Sequence, residues 1–180
     1  MILFGKLIDM NYIYRYDSPI GSMTMASNGK SLTGLWFDGQ KYFAQTLSKP
    51  YEKKRLPVFE STIRWLDTYF GGEIPDFMPE LFLSTTPFRK DVCDILLTIP
   101  YGQTMTYGDI AKVLSKKTGV QKMSPQAVGG AVGHNPVSII IPCHRVVGAN
   151  GGLKGYAGGI DRKRLLLELE GYKTRRNNNV

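Results

Sequence analysis

The stretch IIIPCHRV, residues 139 to 146, sets a cysteine and a histidine side by side behind a proline. A cysteine attacks as its thiolate, and a free thiol with a pKa near ~8.5 needs a neighbouring base or positive charge to reach that form at neutral pH. His144 and Arg145 are groups of those two kinds. Adjacent residues on an extended strand point to opposite faces, so His144 can act as base for Cys143 only if the chain turns after Pro142 or a water intervenes. A base also needs an orienting partner, and the strongest candidate is Glu170, an acid at the end of an otherwise apolar helical pattern. Upstream, Asn135 stands before Pro136 in VGHNPVS, a turn that can place its amide to brace the backbone near the thiol. Taken alone, these residues leave two readings of Cys143 open: a core thiol closing an apolar strand, or an activated nucleophile. His134 reads as a surface or packing histidine. Cys93 and Cys143 lie 50 positions apart with no CxxC spacing, and the chain has two histidines. Neither a disulfide framework nor a metal centre is expected.

These groups need a frame. In the first forty residues, YIYRYDSP and SMTMAS alternate in polarity, and the turn signals SPIG and SNGK separate them from SLTGLWF, which predicts an antiparallel meander. From Pro57, the apolar residues Val58, Phe59, Ile63, Leu66, Tyr69 and Phe70 follow a helical stripe that Gly71 and Gly72 stop. The proline-rich EIPDFMPELFLSTTPF shows no periodicity and reads as an inter-domain connection. Beyond it, PFRKDVCDILLTIPYG predicts a helix with Phe88, Val92, Ile95, Leu96 and Ile99 on one face and Pro100 as its end, and Cys93 as a small buried hydrophobe. In TYGDIAKVLSKK, Thr106 is the N-cap and Asp109 completes a near capping box, with Ile110, Val113 and Leu114 buried. In SPQAVGGAVG, Ser124 caps and Pro125 takes the first helical position. Two short helices joined by a turn form a helix-turn-helix candidate. Gly129 and Gly130 each cost that second helix about 1 kcal/mol relative to alanine, which asks for a reason: close approach to another backbone or, equally well, tight helix–helix packing. The last helix, DRKRLLLELEG, is expected to start at a capping Asp161, bury Leu165, Leu166 and Leu169, and end at Glu170.

The chain of 180 residues carries a net charge of +8, unevenly spread: residues 1–83 hold nine basic and nine acidic side chains, and residues 84–180 hold fourteen and six. A basic half joined to a neutral half suits a polyanion partner, because neutralising phosphates takes Lys and Arg on one surface; a solvated basic face accounts for the charge equally well. The amino-terminal MILFGKLIDM lacks the basic and cleavage-site features of a signal peptide, and no run approaches the ~18 apolar residues of a membrane span. The expectation is a soluble, cytoplasmic protein.

The segment AVGGAVGHNPVSIIIPCHRVVG, followed by GLKGYAGG and LLELEG, resembles the O6-alkylguanine-DNA alkyltransferases, also called methylated-DNA-protein-cysteine methyltransferases, from about Thr86 to Tyr172. The meander and first helix resemble, more weakly, that family's ribonuclease H-like first domain. The resemblance implies an α+β chain: an N-terminal ribonuclease H-like support domain over 1–78, a linker over 79–85, a winged helix-turn-helix domain over 86–172 and a polar tail over 173–180. It implies that the second domain enters the minor groove of double-stranded DNA carrying O6-alkylguanine, that the damaged base is flipped into a pocket, and that the alkyl group passes once and irreversibly to Cys143. A stacked base does not offer its alkyl carbon in line to a protein thiolate, which is why flipping is needed. By the same resemblance His144, through a water, and Glu170 relay the thiol proton away, Asn135 braces the hinge before the cysteine, and Tyr107 protonates the departing guanine and crowds the phosphate that rotates during flipping. Main-chain groups at Cys143, Val146 and Ala157 read the base, Val132 and Tyr156 wall the pocket, and Thr106, Tyr107, Gln126, Ala127 and Gly130 face DNA. The family implies a monomer with no cofactor, no metal, no membrane attachment and no obligate protein partner. Alkyl-group size and tolerance of O4-alkylthymine stay open.

Competing readings are a helix-turn-helix DNA-binding protein without chemistry, either a regulator or a damage flag, and a cysteine hydrolase, which needs an oxyanion hole that displacement at an alkyl carbon does not. One position departs from the family pattern: Gln126 stands where an arginine directly before AVGG fills the gap left by the flipped base. Glutamine can fill the gap and hydrogen-bond the orphaned cytosine, but it carries no charge. Flipping is therefore expected to survive with weaker retention of the extrahelical base. In repair of duplex DNA, Gln126→Arg should be faster than the parent and Gln126→Ala slower; an alanine variant equal to the parent removes the gap-filling role.

Overall fold

The computed structural model describes residues 10–172; the polar tail and the first nine residues lie outside them. Alternation of polarity turns into a sheet at once. Strands β1 (Asn11–Ser18), β2 (Gly21–Ser27) and β3 (Leu32–Phe37) form the expected antiparallel meander, with Tyr14 opposite Met25 and Met25 opposite Leu35. A short strand not foreseen from sequence, β4 (Tyr51–Lys53), adds in parallel to β1, giving the order β3-β2-β1-β4. Its three exposed residues carry no hydrophobic period, so no pattern announces it.

Helix α1 (Pro57–Phe70) begins with proline at a position that needs no backbone donor and lies across the sheet. The period-2 face of β1 meets it: Tyr14 stacks near Phe59 and Tyr16 near Phe70, while the Tyr16 hydroxyl donates to Asp67 at 2.8 Å. The proline-rich segment that follows is tied to β3, since Leu32 N donates to Glu80 O (2.7 Å) and Phe82 N to Leu32 O (2.9 Å).

The second half is helical. Helix α2 (Pro87–Leu96) is capped by Thr86, whose hydroxyl accepts from Arg89 N, and it ends a turn earlier than Pro100, so Ile99 is buried from beyond the helix. Cys93 sits in the core, where burial pushes its thiol up to about 12. Strand β5 (Met105–Thr106) runs straight into α3 (Tyr107–Thr118), and the predicted Thr106–Asp109 capping box forms in full. Ile110 and Leu114 are buried as expected, but Val113 is 42% exposed on the outer face. After Gly119, α4 (Pro125–Gly133) begins with Ser124 accepting from the amides of Gln126 and Ala127. Strand β6 (Val146–Val147) pairs in parallel with β5, which brings Thr106 beside Val147.

Helix α5 (Ile160–Leu169) departs from expectation. Its N-cap is Gly159, and Asp161 lies exposed within the first turn. Leu165 is 47% exposed; Leu166, Leu167 and the side chain of Lys163 face the core instead. The run LLL carries no phase of its own, and the helix starts two positions earlier than a cap at Asp161 requires.

The two halves meet along the free edge of β3. Leu35 N donates to Pro136 O (2.9 Å) and Ser138 N to Leu35 O (2.8 Å), so the segment leading to Cys143 is laid onto the N-terminal sheet as a further short strand.

One turn locks the end of α5. Gly102 has φ +73°, and a Cβ there would stand 2.8 Å from the carbonyl oxygen of Glu170. Gly102→Ala is expected to cost about 2 kcal/mol, combining the left-handed backbone penalty with displacement of that carbonyl, and to lower the melting temperature by roughly 4–8 °C. Gly152→Ala, which meets nothing within 4 Å, should leave the thermal scan unchanged. Equal behaviour of the two variants contradicts this packing.

Candidate active site

The sequence reading of residues 139–142 as the end of a strand is corrected by the geometry. Past Ser138 the chain folds into consecutive tight turns. Ile139 has φ +69° and is fully buried, and Ile140 N donates back to Ser138 O at 2.8 Å. A β-branched residue in this left-handed turn is strained, and it is held there by the core on all sides. A second such turn, of the common hand, centres on Pro142 (φ −81°, ψ 60°), with Cys143 N donating to Ile141 O at 2.8 Å. Cys143, His144 and Arg145 then form one turn of 3₁₀ helix. His144 and Arg145 therefore converge on one carboxylate while Cys143 turns to Asn135, an arrangement that the alternation of an extended strand does not give.

Cys143 is 3% exposed. Its Sγ accepts from Asn135 Nδ2 at 3.0 Å, and the same amide reaches Ile141 O (2.8 Å) and Val137 O (3.2 Å). Asn135 Oδ1 in turn accepts from Val137 N. One side chain thus ties both ends of the strained segment and touches the sulfur. Burial pushes the Cys143 thiol above its ordinary range, against the opposing influence of the Asn135 bond, the nearby Lys163 charge and the amides of Cys143 and His144. The resting group is a thiol, and a thiol acts as a nucleophile only with a base to take its proton.

His144 is fully buried beside it in sequence. Nε2 lies 2.6 Å from Glu170 Oε1. Glu170 also accepts from Arg145 Nε (2.9 Å) and Gly102 N (3.0 Å) on Oε2, and from Arg145 Nη2 (3.1 Å) and the Tyr69 hydroxyl (2.7 Å) on Oε1. Burial works against the Glu170 charge, but the hydrogen bond from His144 and the Arg145 guanidinium outweigh it and hold the carboxyl below its ordinary range. An ionised carboxylate only accepts, so the histidine hydrogen sits on Nε2 and Nδ1 presents a lone pair. Nδ1 is buried and has no hydrogen-bond partner in the protein. Burial lowers the His144 pKa more than Glu170 raises it, and the positive charges of Arg145 and Lys163 act in the same direction as burial. Because Arg145 already balances Glu170, the imidazole is neutral at pH 7 and competent to take a proton.

Tyr107 opens α3, and the β5–β6 ladder carries it to the same end of the domain. Its hydroxyl donates to Lys154 O (3.0 Å) and Gly155 O (3.1 Å), and its ring lies against Gly129, whose absent Cβ would touch it at 3.7 Å. The close approach asked of the α4 glycines is made here by a side chain at Gly129; Gly130 faces open space. Val132 and Val146 are buried, Tyr156 is half-buried with its hydroxyl enclosed and unpartnered, and the Ala157 carbonyl accepts from Lys41 N at 3.0 Å. Gln126, Ala127 and Gly130 are exposed together on α4, and Thr106 is half-buried at the start of α3. His134 is half-buried, stacked at 3.9 Å on Tyr42 and bonded to Gly130 O, as a packing residue.

Three contributors were not legible as such. Tyr69 reads as one member of an apolar helical stripe. Gly102 reads as a turn residue. Lys163 lies among DRKR as a solvated charge, yet it is fully buried and its ammonium donates to the carbonyls of Lys154 (2.8 Å) and Val146, with a pKa lowered by burial to about 8. Its helical offsets from the buried Leu166 and Leu167 are the signal that could have found it. Among the described residues no cluster of His, Cys, Asp and Glu could hold a metal ion, and no helix is long and apolar enough to cross a membrane.

Two family models match the chain. Residues 11–81 match the ribonuclease-like domain of 6-O-methylguanine DNA methyltransferase, and residues 87–172 match its DNA-binding domain. A methylated-DNA–protein-cysteine methyltransferase of Mycobacterium tuberculosis is 45% identical over 160 residues, covering 86% of this chain and 88% of that protein. A protein of the same name from Methanosarcina acetivorans is 42% identical, covering 89% and 98%. The crystal structure of M. tuberculosis OGT in complex with DNA superposes with a TM-score of 0.75 at 43% identity, covering 89% of this chain and 92% of that one. An O6-methylguanine-DNA methyltransferase from Pyrococcus kodakaraensis superposes with a TM-score of 0.60 at 30% identity, covering 90% and 99%. On two domain models and relatives matched over most of their length, this chain belongs to the 6-O-methylguanine-DNA methyltransferase family.

Proposed function

We propose that this protein repairs DNA by direct reversal, taking the alkyl group from O6 of an alkylated guanine onto Cys143. The observation that carries this reading is the buried group of Cys143, His144 and Glu170: a protonated thiol, a neutral imidazole whose free Nδ1 can accept, and a carboxylate fixed by Arg145. Family membership supplies the substrate class and the DNA partner.

The guanine enters from the minor groove as a flipped base, and Gln126 on the exposed face of α4 takes its place in the stack. In the pocket, the carbonyls and amides of Cys143, Val146 and Ala157 read the base edge while Val132 and Tyr156 enclose it. Lys163 holds the Val146 carbonyl in place. The thiol proton passes through one water to His144 Nδ1. The sulfur lone pair then forms a bond to the alkyl carbon as the carbon–O6 bond breaks. Tyr107 gives its hydroxyl proton to the leaving guanine, which departs neutral; His144 then releases the thiol proton and Tyr107 takes one up through solvent, so no net proton is gained or lost. Base and acid stand on opposite sides of the transferred carbon, as in-line displacement requires. The product is a thioether, which nothing in the site can cleave, so each molecule, acting as a monomer, reacts once.

Incubation with duplex DNA carrying O6-methylguanine, followed by intact and peptide mass measurement, should add one methyl group to the Cys143 peptide and none to Cys93. Cys143→Ser should bind the same DNA without gaining mass. Unmodified parent protein that still binds the duplex would leave a damage flag without chemistry, and turnover of an acyl substrate would make it a hydrolase.

A further inference from the structure

We infer that Tyr69, carried by helix α1 of the N-terminal half, is a positioning residue of the transfer site: its phenol holds the Glu170 oxygen that faces His144. The inference rests on the reading of Cys143 and His144 proposed above and assigns a role to a domain otherwise regarded as support.

Tyr69 is fully buried, and its hydroxyl donates to Glu170 Oε1 at 2.7 Å while standing 3.3 Å from His144 Nε2. A buried phenol with no partner costs several kcal/mol by transfer, so a purely space-filling role would be met better by phenylalanine. The ring has no freedom to place that hydroxyl elsewhere. Trp65 stacks on it at 5.4 Å and 10°, and Phe70, Tyr101 and His144 meet it edge-on at 5.5, 6.0 and 6.4 Å. Burial and the adjacent Glu170 charge both push its hydroxyl far above the ordinary phenol range. It is therefore a permanent donor.

A carboxylate offers about four lone-pair sites. Here Oε2 serves Arg145 Nε and Gly102 N, and Oε1 serves His144, Tyr69 and Arg145 Nη2. The Tyr69 bond draws charge from the same oxygen that would stabilise an imidazolium at His144. Without it Oε1 is more negative, the imidazolium is favoured, and His144 becomes more basic. The groups facing the imidazole from every packed element are Glu170 from the end of α5, Arg145 from its own turn, Lys163 from α5 and Tyr69 from α1. Of these, only Tyr69 can lose its polar group without changing the number of charges.

Tyr69→Phe retains the ring and removes the bond. The expected result in a single-turnover assay with O6-methylguanine duplex is a slower transfer constant with unchanged DNA affinity. The acid limb of its pH profile should move to higher pH by roughly one unit. Titration of His144 by NMR should show the same displacement and does not depend on transfer. Phe59→Leu, which loosens the same helix where it packs on Tyr14 at the other end of α1 from Tyr69, should lower thermal stability and leave limb and titration in place. An unmoved limb and titration in Tyr69→Phe overturn the inference, whatever the rate. A parent protein that never methylates Cys143 instead defeats the proposed function, and the NMR arm still decides the role of Tyr69.

Discussion

A single buried carboxylate organises this site. Removing a charge from water costs several kcal/mol, and Glu170, 5% exposed, survives as an anion because Arg145 meets it with two nitrogens while the third donates to Ile99 O at 2.6 Å. The pair is neutral as a unit. That neutrality lets the adjacent imidazole stay uncharged in the same dry interior, with its hydrogen directed at the carboxylate and its free nitrogen turned away. The carboxylate also gathers distant parts of the chain: Gly102 from the turn after α2, Tyr69 from α1 and the Cys143–Arg145 turn all contact the acid at the end of α5.

The thiol is placed by a different device. Edge bonds to β3 and the Asn135 amide hold the segment from Pro136 to Cys143 in a path that no isolated peptide would choose, with Ile139 in a left-handed turn. Core packing on a β-branched side chain holds strain of order 1–3 kcal/mol, and the return is orientation: sulfur toward Asn135, imidazole toward Glu170. Burial keeps the thiol protonated until a base is at hand. For the single transfer proposed above that arrangement is an advantage, since stray electrophiles meet neither exposure nor thiolate.

Much of this was readable from residue order. Periodicity located the meander and the helices, Thr106–Asp109 and Ser124–Pro125 fixed two helix starts, and of the residues singled out for chemistry Asn135 bonds Cys143 and His144 bonds Glu170. Failures share a physical cause. An apolar run such as IIIP has the composition of a strand, and only tertiary contact with β3 turns it into tight turns. Leu165 and Leu167 exchange places because a run of three leucines does not specify its own phase, and Gly159 fixes the start of α5. Tyr69 and Lys163 belong to the site through one polar atom each on side chains that pattern alone assigns to core and to solvent.

The central claim is electrostatic: a neutral His144, protonated on Nε2 against an ionised Glu170. Nitrogen-15 NMR of histidine-labelled protein reads both tautomer and charge. Because burial lowers the folded pKa, His144 should be the Nε2–H tautomer at pH 7 and remain neutral as pH falls through the ordinary histidine range near 6.5. Stability should then decrease below that pH, since the unfolded chain takes up a proton that the folded one refuses. A His144 signal that is already imidazolium at pH 7, or that is protonated on Nδ1, would contradict the account.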